Sequence, residues 1–323
     1  MTRVSASAPG KLVLCGEYAV LDGAPAVCMA VNRRASVKVT TFDGEWHRVS
    51  APGYSSLEGR FVVDGSALAW SQGEDDYRIV DAVWRSTTPA AAGCLSIELD
   101  TRAFVDEASG KKIGIGSSAA LTVALAAALM QSSDVLEPAL RSHRLFQGGA
   151  GSGADIATSV SGGLIEYSRQ EAAVSPLSWP AGLAYRLIWS GVPASTRVRL
   201  EALEKTGYRA SRTALFEAAE NMRNAWRSAA DVMSAYPAYI AVLQQFSVDH
   251  DLGIFDAGHE QLVIDAAAAG LVYKPCGAGG GDVGILLGHS DEQLNDFMTG
   301  REVPGCQVLD FELESNGILL EQR

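Results

Sequence analysis

The sequence has no pairing of cysteines to staple it. Cys15, Cys28, Cys94, Cys276 and Cys306 are scattered, odd in number and without a C-x-x-C spacing. That excludes a disulfide framework and a thiolate zinc site, and it predicts reduced thiols. Histidine is equally sparse: His47, His143, His250, His259 and His289 show no metal-ligand spacing. Long apolar runs are missing. The longest, Ala119 to Met130 with Thr122 interrupting, has 12 residues, too few to cross a bilayer as a helix. No sustained apolar stretch follows Met1, so no signal peptide is expected and the sequence reads as cytoplasmic. Positive charge is scarce, with 26 Lys+Arg against 38 Asp+Glu and a net charge of −12. Nucleic acid and anionic membranes repel such a protein, so neither is an expected partner. An anionic substrate would need a local positive site built against this global field.

What is present is ordinary globular material. The chain has 323 residues, 47% of them apolar, which at roughly 100–200 residues per domain suggests two domains. Alternation of Val37 and Val39 with polar neighbours, and of Leu95, Ile97 and Leu99, predicts strands. Further strands are expected at Leu164–Ser168, Tyr185–Ser190, Leu271–Lys274, VGILLG and the C-terminal GILLEQ. Ala119–Met130 is too rich in Ala and Leu for a strand and predicts a buried helix. Helices are also expected at Glu137–Phe146, Ala154–Ser161, Ser211–Met233, His259–Ala269 and from Ser290 onward, where Ser-Asp-Glu supplies capping chemistry. Gly270 stands where the helix before it should end. Residues 172–182, with Pro176 and Pro180, look like a seam between two halves. The fold class is α+β, with expected domains at 1–180 and 181–323.

Three glycine-rich segments carry the chemistry. Gly114-Ile115-Gly116-Ser117-Ser118-Ala119 runs directly into the buried helix. Such a loop lets a ligand approach the backbone, and the helix N-terminus behind it offers unpaired N–H groups and a positive dipole end. Small hydroxyls leave room for phosphate oxygens and can ligate Mg²⁺. The other reading is a tight strand-to-helix turn. The segment is neither a Walker A loop nor a dinucleotide fingerprint. The second segment, Lys274-Pro-Cys-Gly277-Ala278-Gly279-Gly280-Gly281-Asp282, could present successive N–H groups to an anion. The third is Ala8-Pro9-Gly10-Lys11, followed by Gly16-Glu17-Tyr18.

Taken together and in this order, the segments resemble the three motifs of the GHMP kinase superfamily: APGKLVLCGEYAVLDG, KKIGIGSSAA and KPCGAGGGDVGILL. The resemblance spans Ala8 to Leu287. It implies two α+β domains with the active site in the interdomain cleft, the first binding ATP, and phosphoryl transfer from MgATP to a small metabolite. Within the superfamily the sequence is most similar to the phosphomevalonate kinases. It has Tyr18 where mevalonate kinases typically have His, and residues 142–157 resemble the AH-x-x-AQ and GSG-x-DVA pattern. Gly191–Thr196 is similar as well. Two departures stand out. Arg144 falls where mevalonate kinases place an acidic Mg²⁺ ligand, and Ser142 and Phe146 replace the pattern's two alanines.

The resemblance implies roles residue by residue. Lys11 and Asp155 belong to the reaction centre. Lys111, Lys112, Gly114, Gly116, Ser117, Ser118 and Ala119 take ATP phosphates, with the Ser118 hydroxyl on Mg²⁺. Lys11, Glu17, Tyr18, His143, Ser152, Ser195, Gly277, Ala278, Gly279, Gly280 and Asp282 face the acceptor. The implied reaction converts 5-phosphomevalonate to 5-diphosphomevalonate, by a monomer or homodimer. A phosphate acceptor is mostly ionised at pH 7, since its second pKa is about 6. It needs cations more than a strong base, so Asp155 is expected to orient Lys11 and the incoming oxygen. Arg102 is either another such cation or a surface charge. Ser195 and Thr196 either touch a substrate phosphate or cap the next helix, and His143 either bonds substrate or serves its helix. Met222 and Trp226 are expected in the core, and Glu74-Asp75-Asp76 at a solvent-facing helix start. Mevalonate kinase, a mevalonate-(di)phosphate decarboxylase and a catalytically silent ligand sensor remain as alternatives.

Overall fold

The computed structural model describes residues 2–322 except 66, 150, 208–209, 229–231 and 300–304. Two sheets organise the molecule. The first has nine strands, in the order Leu319–Gln322, Arg3–Cys15, Ala26–Phe42, Cys94–Asp100, His47–Ala51, Ser55–Asp64 and Ala67–Gln72. Leu164–Ser168 and Ala173–Leu177 branch from the Ala26–Phe42 strand. The second sheet has four antiparallel strands, Val272–Pro275, Val283–Gly288, Ala184–Trp189 and Gln307–Leu309.

Burial follows sequence pattern. Along Cys94–Asp100 the residues Leu95, Ile97 and Leu99 are buried and alternate with more exposed ones, as a strand with one covered face requires. The Ala26–Phe42 strand alternates in the same way over Ala35, Val37 and Val39, but Ala26 to Val31 are all buried. This end is covered on both faces. Val27, Met29 and Val31 join a core with Leu187, Trp189, Tyr236, Tyr239 and Ile285 of the second half, while Ala26 and Cys28 pack with Ala154, Ala157 and Ile165. The Ser117–Met130 helix has no polar face and is buried around its circumference, as its composition predicts.

Two expectations are corrected. The helix expected over Ser211–Met233 is two: Ala210–Ser228, then Val232–Asp249, with Ala229 and its neighbours outside the described residues. The apolar stripe Leu215, Ala219, Met222 and Trp226 is real, but it packs on the second helix, the Trp226 and Tyr236 rings meeting at 6.4 Å. The seam at 172–182 contains a strand, and Pro176 is accommodated because Ala173–Leu177 is an edge strand with a single neighbour. The run Glu74-Asp75-Asp76 precedes the Arg78–Ser86 helix with Glu74 and Asp75 exposed, as expected, and Asp75 and Asp76 also border a cavity. No helix among the described residues is long and apolar enough to cross a membrane.

Candidate active site

The phosphate-type loop is held against the first strand. Lys11 donates its amide to the Ile115 carbonyl at 2.9 Å, and any Cβ at Gly10 would lie 2.7 Å from that oxygen, so only glycine admits the approach. Gly116 adopts φ +83° and begins the Ser117–Met130 helix without a capping side chain. The first amide to find a helical acceptor is Ala120, which bonds the Gly116 carbonyl. The amides of Ser117, Ser118 and Ala119 are therefore the open end of this helix, aimed where an anion would sit. A Cβ at Gly116 would lie 3.1 Å from Lys11 Cε, and one at Gly277 would lie 3.8 Å from Lys11 Nζ. The Lys11 side chain thus crosses from the first glycine loop to the other. No carboxylate stands within 4.0 Å of its ammonium among the described residues.

Asp155 opens the Ala154–Ser161 helix, again behind a left-handed glycine, Gly153 at φ +86°. One carboxylate oxygen accepts the Ile156 amide at 2.9 Å; the other lies 3.7 Å from His143 Nδ1. The ion pair expected between Asp155 and Lys11 is not formed in this state. His143 Nε2 in turn meets the Ser118 hydroxyl at 3.1 Å. With its side chain 3% exposed and both nitrogens facing protein groups, His143 does not reach an acceptor, which corrects its assignment to substrate binding. Ser152 borders the cleft, its hydroxyl oxygen accepting the Ala154 amide at 3.3 Å.

The Lys274–Asp282 segment closes the cleft from the second half. Gly277, Ala278 and Asp282 border it. Gly279 and Gly280 do not act as the expected anion nest. Gly280 donates its amide to the Ile254 carbonyl at 2.6 Å, and a Cβ on Gly279 or Gly280 would collide with Ile254 or with the Arg199 guanidinium. These glycines admit neighbours, not ligands. His259 supports the turn from below, accepting or donating at 2.8 Å to the Tyr273 hydroxyl and donating from Nε2 to the Gly281 carbonyl at 2.9 Å. Asp282 has φ +56°. It accepts the Ala194 amide at 2.9 Å and fills the space beside Gly114, where a Cβ would lie 2.0 Å from its carboxyl carbon. Burial pushes the Asp282 carboxyl up to about 6, against the pull of Lys11 and Arg199.

Glu17 is redirected as well. It borders the cleft, but its carboxylate is 2% exposed and is shared by the Lys274 ammonium and the Tyr239 hydroxyl, the latter donating at 2.6 Å. Burial works against the Lys274 charge, yet Glu17 beside it prevails and holds the ammonium above its ordinary range. This pair joins the Ala8–Tyr18 and Lys274–Asp282 segments beneath the cleft, and sequence reasoning missed it. Tyr18 does the same from above, donating to the Ala278 carbonyl at 2.6 Å. Ser195 accepts the Val198 amide at 3.4 Å and caps the Thr196–Thr206 helix, so capping is its observed role, while Thr196 borders the cleft.

Lys11, Glu17, Tyr18, Gly114, Gly116, Ser117, Ser118, Ser152, Asp155, Gly277, Ala278 and Asp282 thus surround one cleft of about 250 Å³. A second cavity of about 260 Å³ adjoins it across Ser117 and Ser118, bordered by Tyr54, Asp75, Arg78, Thr101, Phe104, Lys112 and Phe146. Most of this wall comes from elements without a motif, and apart from Ser117 and Ser118 only Lys112 and Arg102 are candidate site residues from the sequence. Lys111 spans the halves, donating to the Gly191 carbonyl at 3.0 Å. Arg102 edges the second cavity while paired with Asp100 at 2.6 Å. Among the described residues no three or more His, Cys, Asp or Glu side chains gather to hold a metal ion. The donors that fit Mg²⁺ are the Ser118 hydroxyl and the Asp155 carboxylate, a small set that suits an ion carried largely by phosphates and water. The cysteines near the cleft are inert thiols, burial raising Cys28 to about 12 and Cys276 to about 11.

Comparison with known proteins adds the following. Residues 79–163 match the GHMP kinases N terminal domain. The phosphomevalonate kinase of Streptomyces sp. (strain CL190) is 29% identical over 331 residues, covering 87% of this chain and 88% of that protein. The mevalonate kinase of Thermococcus onnurineus is 24% identical over 352 residues, covering 99% of each. Among solved structures, Streptococcus pneumoniae phosphomevalonate kinase in complex with phosphomevalonate and AMPPNP is similar with a TM-score of 0.79 at 18% identity. That match covers 95% of this chain and 99% of the other.

Proposed function

From a chain with a GHMP kinase N-terminal domain and the GHMP kinase fold, we propose that the γ-phosphoryl group of ATP is transferred to the phosphate of 5-phosphomevalonate, giving 5-diphosphomevalonate and ADP. The observation that carries this reading is the meeting of Lys11, the open amides of Ser117–Ala119 and Asp155 in one cleft, with a second cavity sharing Ser117 and Ser118. The second cavity takes the nucleoside, the first takes the acceptor, and the phosphates of both converge on the helix N-terminus.

An acceptor phosphate oxygen is already ionised near neutral pH, so it attacks the γ-phosphorus without a base while the bond to the leaving ADP oxygen breaks. Two polyanions must approach each other, and the chain's contribution is to offset that repulsion. Helix-end amides and the free Lys11 ammonium do so in a partly enclosed cleft where they are poorly screened. Mg²⁺, which the Ser118 hydroxyl and the Asp155 carboxylate would hold, would neutralise further charge. Asp155 fixes geometry at the cleft mouth and abstracts no proton.

Mevalonate kinase is the second reading, favoured by relatives such as the Thermococcus onnurineus enzyme at comparable identity over the whole chain. An assay of ADP formation with mevalonate, phosphomevalonate and diphosphomevalonate, with CO₂ detection, separates the readings. ADP with phosphomevalonate and little with mevalonate is expected. Turnover of mevalonate alone would establish the second reading, CO₂ release would mean a decarboxylase, and binding without turnover a sensor.

A further inference from the structure

His143 is buried, lies outside the cleft wall and faces two groups that do line it. Its Nε2 is 3.1 Å from the Ser118 hydroxyl, its Nδ1 is 3.7 Å from an Asp155 carboxylate oxygen, and its side chain is 3% exposed. Ser118 and Asp155 each sit in the first turn of a helix, Ser117–Met130 and Ala154–Ser161. His143, on the Leu136–Phe146 helix, touches both from behind.

Electrostatics favours one direction for this chain. At 3.7 Å the Asp155 carboxylate is too far for a hydrogen bond, but its charge favours the neutral tautomer that carries its proton on the ring nitrogen facing it. The other nitrogen, Nε2, then has only a lone pair, and the Ser118 hydroxyl must donate to it. The consequence lies on the cleft side. With its proton turned back towards His143, the Ser118 oxygen presents only lone pairs to the cleft. It can then ligate a cation but cannot donate to a phosphate oxygen.

We propose that His143 is a positioning residue which sets Ser118 as a cation ligand and holds the Asp155 carboxylate at the cleft, joining the nucleotide side of the site to the acceptor side. The inference rests on the reading of the cleft as a MgATP site. It is more specific than that reading, because it assigns the phosphate contacts of this loop to backbone amides and the metal contact to the Ser118 side chain.

Two variants divide the two arms. In His143→Asn the amide nitrogen can occupy the place of Nδ1, keeping a donor for Asp155 and removing the acceptor for Ser118. In His143→Gln the amide oxygen can reach the place of Nε2, with the opposite result. ATP binding is measured by calorimetry on the full chain, with Mg²⁺ and with EDTA. His143→Asn is expected to weaken binding about tenfold with Mg²⁺ and less than twofold in EDTA. Ser118→Ala should lose the same Mg²⁺-dependent increment, and the double variant should be no worse than either single one. His143→Gln should keep the Mg²⁺ increment while kcat falls about tenfold and the KM for ATP stays within twofold.

Equal Mg²⁺ dependence in the parent and His143→Asn would overturn the proposal. Additive losses in the double variant would do the same. Should the His143 variants fail to fold, a Mg²⁺ increment retained in Ser118→Ala refutes it. The binding arm uses no acceptor, so a chain that turns over mevalonate still reports on His143. A parent that binds no ATP in either condition refutes the kinase reading and this proposal with it.

Discussion

At the scale of the residue, Lys11 is an unpaired cation in a protein of net charge −12, positioned by an amide bond to Ile115 and by two side-chain-free neighbours, Gly116 and Gly277. No carboxylate among the described residues pairs with its ammonium, and that is the argument for an external partner. Lys11→Met keeps the aliphatic stem and removes the charge. We expect kcat to fall about 10²-fold or more, with the melting temperature within a few degrees of the parent, as checked by ADP release and thermal denaturation. A loss of activity matched by unfolding would instead make Lys11 structural. Ser117 and Ser118 were legible in the sequence because Gly114 and Gly116 lead into their helix, whereas Lys11 and Asp155 were legible only through the resemblance to the kinase motifs. Glu17 was legible only as a motif member. Its partner Lys274 is 257 positions away, and a contact of that span leaves no local pattern. Removing one partner of such a pair would strand a buried charge, typically at a cost of about 3–5 kcal/mol. The pair therefore reads as the footing of the site.

At the scale of the element, the two glycine loops differ in what their glycines do. Gly116 exposes a helix end, whereas Gly279 and Gly280 admit Ile254 and Arg199. Composition alone cannot separate these uses, because both demand a missing Cβ. Asp282 ends the second loop and locks it against Gly114 and Ala194. Its carboxyl is raised from 3.8 to about 6 by burial, so between about pH 4 and 6 the folded chain holds a proton that the unfolded chain has lost. This group's contribution to stability therefore falls as pH rises through that window and levels off above it. Asp282→Asn removes the penalty and keeps an acceptor for Ala194. Its melting temperature is expected to overtake the parent's progressively from pH 4 to pH 7. The gain should be about 1–2 kcal/mol, after discounting a roughly two-unit shift for partial exposure. A gap that is constant with pH would show that Asp282 ionises normally. The Val232–Asp249 helix escaped sequence reading for a related reason. The apolar periodicity of the preceding helix runs on into it, and the break shows only in the way Trp226 packs on Tyr236.

At the scale of the whole molecule, a single core runs from Leu12 and Met29 of the first sheet to Tyr239 and Ile285 of the second half. The last strand, Leu319–Gln322, returns to pair with the first. Interleaved strand and helix patterns led to the α+β class, and the resemblance of the three motifs implied the cleft. The return of the C-terminus did not show, because strand pairing across the full chain is decided by topology and not by local pattern. That core underlies both walls of the cleft, where helix ends and lysine converge. Global charge describes the solvated surface, and the cleft is a local exception to it. The central claim is that this exception serves to join two phosphates. It is tested most directly by phosphorus NMR of the chain incubated with MgATP and 5-phosphomevalonate. The acceptor's monoester resonance is expected to give way to a pair of coupled diphosphate resonances, in step with ADP. ADP formed while that monoester signal persists, or a new monoester formed only from mevalonate, would contradict it.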